Sequence, residues 1–159
     1  MEKSQTLFFT GHRDIYRAEG SEGFSVLVET IDSFIEKGYE YFVAGGALGF
    51  DTMAAEAVIK LRGKYPHVKL ILMLPCKTQS LAWGAWQIRK YKKILAEADE
   101  IIYTSEEYTQ SCMFERDRAM ADASSVCIAY CNKEKGGTAY TVSYALKKGI
   151  AVTNLANAF

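Results

Sequence analysis

At 159 residues the chain has the length of one domain, with enough of it to bury a sizeable core. Its 49% hydrophobic content excludes a disordered chain, and 19 basic side chains cancelled by 19 acidic ones argue against a protein held to nucleic acid chiefly through phosphates. Four cysteines without a C-x-x-C pair, and two histidines, leave no zinc-like spacing and no His-rich metal site.

Met1-Glu2-Lys3-Ser4-Gln5 has no signal-peptide pattern, and no apolar run is long enough to span a bilayer. The expectation is a cytoplasmic, metal-free protein with reduced thiols. Of these, Cys127 and Cys131 are expected on an apolar strand as small buried side chains.

The first predicted strand is Thr6-Leu7-Phe8-Phe9-Thr10. Gly11-His12-Arg13-Asp14 follows, where Gly11 allows a tight turn and the planar fork of Arg13 suits a phosphate or carboxylate. Leu27, Ile31, Phe34 and Ile35 recur at helical spacing over residues 23–37, and Gly38 is a natural stop. Residues 41–44 read as a buried strand.

Gly45-Gly46-Ala47-Leu48-Gly49-Phe50-Asp51-Thr52 then leads into a helix over 53–61, ending near Tyr65-Pro66, with Ala54, Ala57, Val58 and Leu61 on one side. A glycine-rich turn from strand into helix presents bare N–H groups and the positive end of a helix dipole, a seat for phosphate. It is neither a Walker loop nor a G-x-G-x-x-G fingerprint. Asp51 has two readings: a helix N-cap that competes with a phosphate, or an acceptor for ribose hydroxyls.

Residues 68–74 form a continuous apolar strand halted by Pro75, and 84–97 a helix. Trp83 and Trp86 suit packing against a neighbouring element or subunit, with base stacking as the alternative. Arg89-Lys90-Tyr91-Lys92-Lys93 spreads its charge around the helix axis and reads as a solvated face. Residues 100–104 are a strand and 112–122 a helix. In that helix Glu115 shares a side with Arg118, inviting a local pair, while Arg116 points elsewhere.

A strand over 125–130 leads into a second glycine-rich turn, Lys135-Gly136-Gly137-Thr138, where Thr138 either caps the next helix or donates its hydroxyl to a phosphate. That helix spans 137–148, Gly149 ends it, and 150–154 is the last strand. Six strands alternate with helices, and several are apolar throughout, as expected when both sheet faces are covered. The predicted architecture is therefore one domain over 1–159: a three-layer, Rossmann-like α/β open sheet, mainly parallel. Ligands in such sheets sit beyond the carboxyl ends of the strands, where strand order reverses.

Gly11-His12-Arg13, Gly45-Gly46-Ala47-Leu48-Gly49-Phe50-Asp51, Glu115-Arg116-Asp117-Arg118 and Gly136-Gly137-Thr138, in this order, resemble the SLOG superfamily of Rossmann-like proteins. Within it the chain is most similar to the small YpsA-like group. The superfamily also holds the DNA-processing protein DprA, whose glycine loop resembles residues 46–51 and whose Arg-x-Arg element resembles Arg116-Asp117-Arg118. A third group, the LOG phosphoribohydrolases, releases a base from a nucleoside monophosphate.

The resemblance implies a nucleotide-like small molecule as partner, no metal and no other cofactor, bound by Gly11, His12, Arg13, Gly45, Gly46, Gly49, Asp51, Thr52, Glu115, Arg116, Arg118, Gly136, Gly137 and Thr138. LOG proteins follow their second glycine turn with Gly-Thr-x-x-Glu, whereas Thr141 stands here in place of the glutamate. Hydrolysis would then rest on Glu115 or Asp51. DprA-like binding of single-stranded DNA is a further alternative, against which the balanced charge counts. A homodimer is the prior for assembly, with the Trp83/Trp86 region as the self-contact.

Overall fold

The computed structural model describes residues 1–159. After a 3-10 turn at Lys3–Gln5 the chain runs β1 (Thr6–Gly11), α1 (Glu22–Glu36), β2 (Tyr41–Ala44), α2 (Phe50–Arg62), β3 (Lys69–Leu74) and α3 (Ala85–Glu97). It continues through β4 (Glu100–Tyr103), α4 (Cys112–Asp122), β5 (Val126–Tyr130), α5 (Gly137–Lys147) and β6 (Ala151–Asn154). The strands form one sheet in the order β4-β3-β2-β1-β5-β6, and every pairing is parallel.

This order follows from the handedness of the connections. Stepping outward from β1 to β4 by right-handed crossovers puts α1, α2 and α3 on one face. The chain then returns across the sheet through α4 and steps the other way, so α4 and α5 cover the opposite face. Alternate strand residues feed two cores accordingly. Leu7, Phe9, Phe42, Leu70, Leu72 and Ile128 meet α1 to α3, while Phe8, Val43, Ile71, Met73, Cys127 and Ala129 meet α4 and α5. Phe8, Phe9, Phe42 and Phe50 are fully buried, each worth about 1.5–3 kcal/mol of burial. Strand order reverses between β1 and β5, so the predicted ligand edge is the carboxyl end of these two strands.

Three local readings are corrected. Cys131 lies one residue beyond β5, half-buried, and its N–H donates to the Asn154 side chain at 3.1 Å. Helix α2 begins at Phe50, three residues before the expected start, because the Phe50 N–H finds the His12 carbonyl at 3.1 Å and the ring drops into the core. Gly11 ends β1 rather than making a turn, and its lack of a side chain serves that ring: a Cβ there would collide with Phe50.

Candidate functional site

Along the carboxyl edge, β1, β2 and β5 hand the chain to three segments that enclose a cavity of about 130 Å³. Its walls are Thr10, Gly11 and Arg13 from the end of β1, Ala47 and Asp51 from the β2–α2 turn, and Gly137 and Thr138 from the start of α5. Met113, Arg116, Asp117 and Met120 close it from α4, and Gln79 from the β3–α3 loop. That volume equals roughly four liquid waters, enough for a phosphoryl group and part of a sugar but not for a whole nucleotide.

The two glycine-rich turns differ in what they leave open. Gly49 is the N-cap of α2 at φ +76°, and a Cβ there would come within 2.5 Å of the His12 and Arg13 carbonyls. Much of this turn is already engaged. The Phe50 N–H is held by His12, the Ala47 N–H donates to Asp51 Oδ2 at 3.3 Å, and the Thr52 hydroxyl donates to the Ala47 carbonyl at 3.0 Å.

At the other turn, Gly136 caps α5 at φ +108° with no side chain bonded to the helix end. Its first N–H groups are the orphan donors of any helix start, and Gly137 and Thr138 of that first turn line the cavity at the positive end of the dipole. Of the two turns at which the sequence leads one to expect a phosphate, Gly136–Thr138 is thus the more open.

Arg13 is exposed, lines the cavity and is engaged by no ion pair within the chain. Arg116 is the opposite case. Only 5% exposed, it donates through Nη1 to the Gly45 carbonyl and through Nε to Asp117 Oδ1 at 2.7 Å. Asp51 sits beside it as the second residue of α2 rather than as an N-cap. Burial is the main cause that raises its carboxyl to about 6, aided by Asp117 and opposed by Arg116, the Ala47 N–H and Arg13. Gln79, 9% exposed, donates to the Tyr91 hydroxyl at 3.1 Å, and its buried Oε1 has no hydrogen-bond partner.

The remaining predicted residues stand outside the cavity. His12 is buried, and its Nε2 accepts from the Asn132 N–H at 3.0 Å, tying the end of β1 to that of β5. Burial first, and then Lys133, push its pKa down. Gly45 and Gly46 are buried behind Arg116 and Gln79. The expected Glu115–Arg118 pair does not form. The Glu115 carboxylate accepts from Ser105 at 3.0 Å and Ser111 at 3.1 Å, whereas Arg118 donates to the Tyr140 hydroxyl at 3.0 Å.

Thr10 and Gln79 were not singled out from the sequence, and Met113, Asp117 and Met120 of the α4 cluster were not among the expected ligand residues. For α4 a signal existed. Residues 113, 116, 117 and 120 follow the i, i+3, i+4, i+7 stripe of one helix face, so the two methionines mark the inward side and carry Arg116 with them.

The same Rossmann-like sheet is the fold of two solved DprA structures. That of Streptococcus pneumoniae superposes with a TM-score of 0.68 at 19% identity, over 96% of this chain and 50% of that one. The Helicobacter pylori protein, whose structure concerns its single-stranded DNA binding mode, gives 0.65 at 17% identity, over 96% and 65%. At these identities the likeness is one of fold.

The model of the YspA SLOG family (YpsA) matches residues 24–154, and the chain belongs to that family. An uncharacterized SPbeta prophage-derived protein of Bacillus subtilis strain 168, YoqJ, is 36% identical over 134 residues, covering 76% of this chain and 78% of the relative. A UPF0398 protein of Bacillus thuringiensis strain Al Hakam is 30% identical over 122 residues, covering 75% of this chain and 66% of its own length. No helix is long and apolar enough to cross a membrane.

Proposed function

We propose that the protein binds a phosphorylated sugar of the nucleotide type at the switch-point cavity. The phosphate lies at the uncapped start of α5 and is gripped from the opposite wall by Arg13. The observation that carries this reading is the convergence of two unused cationic elements, that helix end and Arg13, on one cavity. The rest of the lining suits hydroxyl groups: Asp51, Asp117 and the unpartnered Gln79 Oε1 are acceptors.

Isothermal calorimetry with ribose 5-phosphate tests it. Arg13→Ala weakens binding by about 1.5–3 kcal/mol, the range for a hydrogen bond to a charged group. Because Arg13 is exposed and unpaired, unliganded stability stays within about 0.5 kcal/mol of the parent. Equal affinity in both proteins, or no binding to the parent, overturns the phosphate seat.

One observation favours a second reading, release of the base from a nucleoside monophosphate. Of the two carboxylates expected to serve hydrolysis, Glu115 lies outside the cavity and Asp51 within it. An ionised Asp51 beside the sugar would stabilise an oxocarbenium-like state. Incubation with AMP, GMP, CMP and UMP, followed by chromatography for free base, then detects release by the parent and none by Asp51→Asn. Absence of release with all four leaves binding as the function.

Single-stranded DNA enters through the fold alone. Oligonucleotide anisotropy that rises at low salt and collapses with added salt would favour it over the small molecule.

A further inference from the structure

The phosphate seat leaves unexplained a second cavity, of about 100 Å³, lined by Arg13, Tyr16, Gly49, Thr52, Trp86 and Lys90 among others. Arg13 lines both cavities, so they flank a single residue. Each is well below the ~300 Å³ at which small-molecule sites usually begin, whereas a ligand arching over Arg13 would use both.

The second cavity is not built for another phosphate. Its lysine is already matched: Lys90 Nζ donates to Glu56 at 3.0 Å and to the Tyr16 hydroxyl at 2.8 Å, and that hydroxyl donates to the other Glu56 oxygen at 2.8 Å. What is left unsatisfied is an indole. Trp83 tucks against Tyr91 at 5.1 Å between ring centres, but Trp86, in the first turn of α3, remains 55% exposed. The Tyr16 ring meets Trp86 edge-on at 6.0 Å and 84°, and Lys90 Nζ stands 4.9 Å from its centre. Tyr16 from the β1–α1 loop and Lys90 from α3 thus hold a large aromatic face at the rim of a cavity, where a π-system adds affinity without reading sequence.

We propose that this second cavity seats a planar heteroaromatic base, stacked on Trp86, of the same ligand whose phosphate lies in the first. The inference rests on the phosphate-seat reading and makes the ligand a nucleotide rather than a simple sugar phosphate. The rival aromatic surface is the Phe114–Tyr140 pair, 39% and 37% exposed on α4 and α5. Those rings satisfy each other edge-to-face at 4.8 Å, and they line neither cavity.

The test compares ribose 5-phosphate with the tightest binder among AMP, GMP, CMP and UMP, on the parent, Trp86→Ala, Trp86→Phe and Tyr140→Ala. The nucleotide binds the parent more tightly than the sugar phosphate and quenches indole emission. Trp86→Ala weakens the nucleotide about tenfold and leaves ribose 5-phosphate within twofold, while Trp86→Phe recovers most of the loss.

Ribose 5-phosphate that fails to bind the parent overturns the phosphate seat, and this inference with it. Ribose 5-phosphate that binds, with a nucleotide no tighter or indifferent to Trp86→Ala, overturns the base seat alone. A loss that follows Tyr140→Ala instead assigns the base to the other rim and overturns this placement.

Discussion

Arg116→Ala lowers the unfolding free energy by about 3–5 kcal/mol, the usual effect of breaking a buried ion pair from one side. In a chain of this length that corresponds to a fall in melting temperature of roughly 10–15 °C. The guanidinium is bonded to Asp117 at 2.7 Å and acts on Asp51 through space, while its Nη1 also satisfies the Gly45 carbonyl. Its removal leaves two acidic groups facing each other in a buried site and a backbone acceptor without a donor.

Arg116→Lys is no rescue. A single ammonium cannot serve the Gly45 carbonyl and Asp117 from the separate corners that the planar fork provides. Urea unfolding measures the effect, with the midpoint shifted and the slope unchanged. The loss shrinks at pH 5, where Asp51 takes up a proton and one of the two stranded charges disappears. A destabilisation below about 1 kcal/mol would mean that water reaches Asp117 and Asp51 freely.

Asp51→Asn raises stability above neutral pH by about 1–3 kcal/mol and removes a descending limb from the pH profile. The sign follows from linkage. In the folded chain the carboxyl titrates at about 6 against an ordinary value of 3.8, so between these values the folded state holds the proton that the unfolded state has released. Folding is therefore favoured in acid, and the contribution is lost as pH rises through 6. The groups facing Asp51 are Arg116 and Asp117 from α4, Arg13 and the Ala47 N–H from the loops, and the Cys127 thiol of β5. Asparagine keeps an acceptor for Ala47 without the charge.

The same titration reaches the ligand. Binding of sulfate, whose charge is constant over this window, weakens from pH 5 to pH 8 in the parent as Asp51 ionises, and is flat in Asp51→Asn. Stability curves for the two proteins that stay parallel from pH 4 to pH 8 would show that Asp51 is solvated and ionised throughout.

The element order was legible in the sequence because it is written locally. Unbroken apolar runs such as 68–74 announce strands covered on both faces, and the spacing of Leu27, Ile31 and Ile35 announces an inward helix face. Glycines at 45–49 and 136–137 mark the two bends at one rim of the sheet, since each follows a strand and opens a helix. Gln79 was not legible. It sits in a loop without periodicity, and only the packing of that loop against Gly46 and Tyr91 brings its amide to the cavity.

By itself the sequence determined the alternation of strands and helices and the four clusters on one edge. Tertiary structure decided which members of each cluster face inward. Helix α4 carries Arg116 and Arg118 two positions apart, and its rotation buries the first and leaves the second on the surface with Tyr140. That rotation is set by Met120 and Ala121 packing into the core beneath the sheet, which turns the stripe marked by Met113 and Met120 toward the cavity. The protonation of Asp51 has the same origin, because a carboxyl is shifted by the burial and charges that distant segments impose.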